Sequence, residues 1–260
     1  HGHARPLAEA FEAIHRTPDS GHPRHLVLLG DALDRGPDNL GVAELIAEAK
    51  SLARVDYVTY LAGNHEIMLA RALSDPQDQM MFWSISGGCE VINEIDPDET
   101  VIGDRNLAYA LADALPKCVL YHPDRHPSHL QIDDVLFVHA GISPHIEREQ
   151  FLGQPFDEEL PGACHWAWIR SPFLEWTKGW NSSRTLTITH GHSSATEALF
   201  VDTQEIESAC LLHQTHDRIN LDTGAGYKIS QIAVAEFLNG SVRVSAFYDK
   251  NHTPRHDPSE

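Results

Sequence analysis

Long apolar runs are missing from these 260 residues. The longest, such as His25–Leu29 and Val135–Val138, have strand length, so no membrane-spanning helix is expected. His1–Pro6 is not followed by the apolar segment of a secretory leader. Cysteine is scarce and dispersed. Cys89, Cys118, Cys164 and Cys210 form no CxxC pair, which argues against a zinc knuckle or a disulfide framework and makes a reduced, cytoplasmic setting the default. Basic residues are few: 19 Lys and Arg stand against 38 Asp and Glu, a formal net charge of -19. So acidic a surface repels nucleic acid, and no basic stretch interrupts it. The composition therefore predicts no nucleic-acid or membrane partner, and no obligate protein partner is evident. A phosphate-bearing substrate would have to meet metal ions or a few arginines.

Histidine, by contrast, is abundant, with 18 copies. Several lie in the polar stretch His122–His129 or the tail His252–His256 and read as solvated surface. The chain opens with a strand–turn–helix rhythm. His25–Leu29 reads as a buried strand ending in Gly30, and a helix follows from about Asp38 to Lys50. Asp38 is a good N-cap, and Leu40, Val42, Leu45 and Ile46 recur near helical spacing. Asp56–Leu61 is a second strand, and Glu66–Leu73 begins a second helix. This rhythm predicts parallel strands covered by helices, with a site at the carboxyl ends of the strands. Ser74–Leu115 reads as helical pieces joined by the loop Asp96–Thr100. Val119–Tyr121, Leu130–Ile132 and Val135–Val138 read as strands, and Pro144–Ala167 as an irregular flap. Short strands are expected at Thr185–Thr189, Ala198–Val201, Ile219–Leu221, Ile229–Phe237 and Val242–Phe247. The fold class is α/β, a four-layer α/β/β/α sandwich, and residues 1–260 form one domain.

The residues that could carry chemistry sit at the ends of those strands. Asp31 and Asp34 lie in GDALDRGP (Gly30–Pro37), and Asn64, His65 and Glu66 in GNHE (Gly63–Glu66). His139 lies in VHAG (Val138–Gly141), and His192 in HGHS (His190–Ser193). Each alone is as easily a turn former or helix cap. Four such residues at four strand ends suggest a shared rim of oxygen and nitrogen donors, suited to manganese, iron or zinc rather than calcium.

With HGH at the start, GDALDRGP, GNHE, VHAG and GHS occur in the order shown by calcineurin-like metallophosphoesterases, and the chain resembles that superfamily. DRG with GNHE looks like the bacterial and phage serine/threonine phosphoprotein phosphatases. WIRSPF (Trp168–Phe173) and LDTGAGY (Leu221–Tyr227) are similar to their later blocks. The resemblance implies two divalent ions, bridged by Asp31, with His1 on the first and Asn64, His139 and His192 on the second. Such a pair, roughly 3.5–4 Å apart, clamps a phosphoryl group and activates water. Arg35 and Arg170, with Asn64, would bind the phosphate, a surface ion pair being the alternative for Arg170. His65 would protonate the leaving group while Asp34 orients its ring. His190 competes with His192 for the ligand role, and His3 and Asp222 read as structural. The family's first block is GDxHG, and here it begins at its His. The resemblance therefore implies an Asp two positions before His1, and a strand carrying it, in the natural protein. Asp34 and Glu66 favour a serine/threonine phosphatase over a symmetrical diadenosine tetraphosphate hydrolase, while a non-catalytic scaffold would be expected to lose some of these residues.

Overall fold

Two short runs of alternating bulk, HLVL and YVTY, pair in parallel to open the fold. In a computed structural model, which describes residues 1–97, 102–155, 164–180, 186–195, 203–227 and 230–249, they form β1 (His25–Leu28) and β2 (Tyr57–Tyr60). Their register runs from His25 opposite Tyr57 to Leu28 opposite Tyr60. Between them lie α2 (Asn39–Ala47) and α3 (Ala49–Leu52). Asp38 caps α2 by accepting from the Gly41 amide at 3.0 Å. The single helix expected to reach Lys50 is broken at Glu48, which leaves helical geometry at φ -101° and ψ 7°.

A helix precedes this unit where none was expected. α1 (Ala4–Arg16) buries Ala4, Pro6, Ala10 and Phe11, and the spacing of Leu7, Phe11 and Ile14 carries its signal. After β2 come α4 (Asn64–Ser74), α5 (Pro76–Trp83), a turn kinked at Gly87 (Ser84–Gly88), α6 (Cys89–Ile95) and α7 (Arg105–Ala114). The second sheet has the order β3 (His129–Ile132), β4 (Val135–Val138), β5 (Thr187–His190), β6 (Arg218–Asn220). Its first pair is an antiparallel hairpin and the next two pairs are parallel. Helix α8 (Arg148–Leu152) lies inside the expected flap, and α9 (Thr203–Cys210) falls between the strands expected at Ala198–Val201 and Ile219–Leu221. A separate hairpin, β7 (Gln231–Leu238) and β8 (Ser241–Tyr248), turns at Asn239–Gly240, both at positive φ.

The expected strand Val119–Tyr121 is a turn. Val119 is fully buried, so its apolar character reflects core packing rather than strand pairing. The expected strand Ala198–Val201, the tail histidines and residues 156–163 of the flap lie outside the described residues. Among the described residues no helix is long and apolar enough to cross a membrane.

The core positions α4 tightly. Met68, Leu69 and Ala72 pack with Trp83, Val91 and Leu111 in one hydrophobic cluster. Ile67 packs with Leu136, Val138, Phe151 and Ile188 in another. A helix gripped on two sides holds its first residues, Asn64 and His65, with little freedom. All four cysteines are free, with Cys164 exposed and Cys210 buried. Burial pushes the Cys210 thiol up to about 12. Iodoacetamide at neutral pH should therefore label Cys164 in the native protein and Cys210 only in denaturant. Peptide mass mapping reads this directly, and early labelling of Cys210 would contradict its burial.

Candidate active site

Each named donor follows a strand: Asp31 follows β1, Asn64 follows β2, His139 follows β4, and His192 follows β5. Parallel pairing within each sheet brings those ends to a common rim. Asp31 Oδ2 stands 3.3 Å from His139 Nε2 and 3.6 Å from His1 Nε2. Asn64 Oδ1 stands 3.1 Å from His139 Nε2 and 2.9 Å from His192 Nδ1. Two groups of donor atoms result, His1–Asp31–His65 and Asp31–His139–His192, each within 4.8 Å. Asp31 belongs to both.

Tautomers decide what such groups can do. His139 Nδ1 lies 2.7 Å from the Leu29 carbonyl, and His1 Nδ1 lies 2.9 Å from that of Leu33. A carbonyl only accepts, so each Nδ1 carries the proton and donates it. In a neutral ring the Nε2 lone pair then faces the oxygens of Asp31 and Asn64. Acceptors facing acceptors repel unless a cation lies between them. Metal-binding histidines commonly have this arrangement, with the second nitrogen tied to a backbone carbonyl. His192 turns Nδ1, not Nε2, to the same Asn64 oxygen, 2.9 Å away. The donor set therefore fits divalent ions. Without them the repulsion is relieved by a proton: burial pushes His139 down, but Asp31 and the Leu29 carbonyl outweigh it and raise the ring. For Asp31, burial pushes the carboxyl up, yet His139 and His65 together hold it well below the usual carboxylate range. Burial, with His139 adding to it, lowers His192 to about 3.

Of the two histidines flanking Gly191, His192 reaches Asn64. His190 sets its ring edge-on to Phe173 at 4.8 Å, and burial lowers it to about 3, so it stays neutral at physiological pH. His65 Nδ1 lies 2.6 Å from Asp34 Oδ2, both residues being buried, which leaves His65 Nε2 for the site. Trp83 Nε1 donates to both Asp34 oxygens. Arg35 donates from Nε to the Ser86 carbonyl at 3.2 Å. A Cβ on Gly226 would stand 2.8 Å from Arg35 Nη1 and 3.0 Å from His1 Nε2, so only glycine permits this approach, and it places Arg35 beside the donor groups. Arg170 is exposed, with Nη2 3.5 Å from the His192 carbonyl. His3 ties to the Ala225 carbonyl at 3.0 Å, and Asp222 accepts from the Gly224 amide at 2.8 Å. Asp31, Asp34, Arg35 and His192 all have left-handed backbones, with φ of 55°, 73°, 63° and 65°.

Glu66 has a role that its motif does not reveal. Its carboxylate is buried and accepts from the amides of Asp31 and Gly63 at 2.8 Å each, Ala32 at 3.0 Å and the Tyr60 hydroxyl at 2.5 Å. Burial and the Glu66 charge push the Tyr60 phenol well up, so it remains a donor. One side chain thus locks the end of β1 to the start of α4. Glu66→Gln turns an amide group toward backbone N–H donors and should cost about 2–4 kcal/mol of stability. Urea denaturation measures it; a loss under about 0.5 kcal/mol would mean the four contacts are dispensable.

The family model for calcineurin-like phosphoesterases matches residues 1–239. A search of curated proteins finds no match. Among solved structures, a mutant of a cold-active protein tyrosine phosphatase is similar at TM-score 0.51 and 15% identity, over 94% of this chain and 74% of that one. Two other cold-active protein tyrosine phosphatase structures, one from a psychrophilic Shewanella species, have TM-scores of 0.48 and identities of 18% and 15%. They align with 94% of this chain and with 75% and 77% of their own. At 15% identity the likeness to the mutant structure is one of fold alone. The family match, running from residue 1 to residue 239, takes in all four strand-end motifs: the chain belongs to the calcineurin-like phosphoesterase family.

Proposed function

We propose that the protein hydrolyses phosphomonoesters with two divalent metal ions, and that phosphoserine and phosphothreonine proteins are its substrate class. The observation that carries this reading is the confrontation of acceptors around Asp31, where two imidazole Nε2 atoms face one carboxylate oxygen. Asp31 is assigned to both ions, His1 to one, and Asn64, His139 and His192 to the other. Manganese is favoured for this mixed donor set, with iron or zinc as the other fits. When bound, the ions supply positive charge to phosphoryl oxygens and lower the pKa of water. Arg35, braced by the Ser86 carbonyl, binds phosphate from the Gly226 side. Arg170 and Asn64 contribute from the His192 side, Arg170 as a guanidinium fork matched to phosphate oxygens. His65 gives the proton on Nε2 to the leaving oxygen, and Asp34 keeps its ring in the donating orientation. The expected α/β/β/α layering belongs to the same proposal.

The Asp34–His65 pair favours alkyl esters, because a serine alkoxide is a poor leaving group that needs a proton. A kinetic panel with manganese tests this. Phosphoserine and phosphothreonine peptides should turn over best among phosphoserine, phosphothreonine and phosphotyrosine peptides and diadenosine tetraphosphate. Preference for phosphotyrosine or for diadenosine tetraphosphate would reassign the substrate. No turnover of any of them with two equivalents of metal bound would indicate a scaffold.

A further inference from the structure

We propose that Trp83 is a positioning residue for the Asp34–His65 pair, its indole N–H fixing the carboxylate that aims His65. The proposal rests on the phosphoesterase reading above. Trp83 is fully buried, and its Nε1 lies 3.1 Å from Asp34 Oδ1 and 2.9 Å from Oδ2. Asp34 is 1% exposed, so water does not compete for those oxygens. Oδ2 is also the atom 2.6 Å from His65 Nδ1. The last torsion of an aspartate is broad and has no sharp rotamer well. The Asp34 carboxylate plane is therefore set by its partners, and the indole is one that reaches both oxygens. A donor shared with a carboxylate is charge-assisted and stronger than a neutral bond.

The indole is itself held. A Cβ on Gly88 would lie 2.4 Å from the Trp83 ring, so the kinked turn Ser84–Gly88, with Gly87 at φ 126°, folds its backbone directly onto that ring. The same turn accepts from Arg35, its Nε at Ser86 O and its amide at Gly87 O, 3.2 and 2.9 Å away. One six-residue segment, Trp83–Gly88, thereby sets the proton donor through its first residue and the phosphate-binding arginine through its carbonyls.

The test replaces Trp83 with 3-benzothienylalanine by amber suppression, which keeps the bicyclic shape and substitutes sulfur for N–H. Trp83→Phe serves as the second variant. Both are assayed on a phosphoserine peptide and on nitrophenyl phosphate, whose leaving group needs little protonation. The analogue should lose roughly 10–100-fold on the peptide, the scale of one hydrogen bond to a charged group, and distinctly less on nitrophenyl phosphate. It should keep its metal content and its native circular dichroism spectrum. Combining Trp83→Phe with Asp34→Asn should add little to the loss from Asp34→Asn alone. Normal kinetics in the analogue, or equal losses on both esters, would overturn the proposal. Should the wild type hydrolyse neither ester, the phosphoesterase reading is at fault, and NMR decides about Trp83 separately. In 15N-labelled protein the Trp83 indole signal, identified by its loss in Trp83→Phe, should move on Asp34→Asn. An unmoved signal would refute the contact itself.

Discussion

Asp31→Asn should abolish turnover and weaken both metal ions together. The substitution keeps the shape of the side chain and its Oδ1, which accepts from the His65 amide at 3.1 Å, so the fold should be retained. It removes the one anionic charge that belongs to both donor groups. Several kcal/mol of charge stabilisation come with such ions, so a loss on the order of 10³-fold or more in kcat/KM is expected. Metal analysis after dialysis should show a fall in both equivalents rather than one. In the metal-free protein the Asp31 carboxylate no longer offsets the burial of His139, so that ring gives up its proton at a lower pH than in the wild type. Near-normal turnover with two equivalents retained would exclude Asp31 as the shared ligand.

His65→Asn should separate substrates rather than silence the protein. With Nδ1 on Asp34 and the ring edge-on to His1 at 4.6 Å, His65 has one nitrogen left for the site. General acids contribute on the order of 10²–10⁴-fold when the leaving group is basic. That loss is expected on phosphoserine peptides, with a distinctly smaller one on nitrophenyl phosphate. Asp34→Asn should repeat the pattern in milder form, since it disturbs orientation alone. His65 also stands within 4.8 Å of donor atoms from His1 and Asp31, so metal content must be measured alongside. Loss of an ion from the His65 variant would make it a ligand instead of a proton donor.

The donors were legible because each lies in a short motif beside its own strand, and strand ends converge by rule. Asp31, Asn64, His139 and His192 could be placed from local sequence for that reason. Their supports could not. Trp83 meets Asp34 across 49 residues, and His3 meets Ala225 across 222. Glu66 was visible as the last letter of GNHE, but its four donors come from two strand ends that only the tertiary fold assembles. Val119 shows the opposite limit. Apolar residues announce burial, and burial alone does not distinguish a strand from a turn pinned against a core. The Gly87–Gly88 pair after Trp83 was the available local sign of a special backbone, and its meaning depended on Arg35, far upstream in the chain.

The left-handed backbones of Asp31, Asp34, Arg35 and His192 set heat tolerance against turnover. Each such non-glycine residue holds about 1–2 kcal/mol of conformational strain that glycine would relieve. A laboratory selection that scores melting temperature alone would tend to accept small, flexible residues there, and would recover sturdier proteins with an emptied rim. A selection that scores ester hydrolysis would keep all four and look for stability elsewhere, in surfaces such as the α1 helix that touch none of them. Sequencing the survivors of both selections would show the divergence at these four positions first.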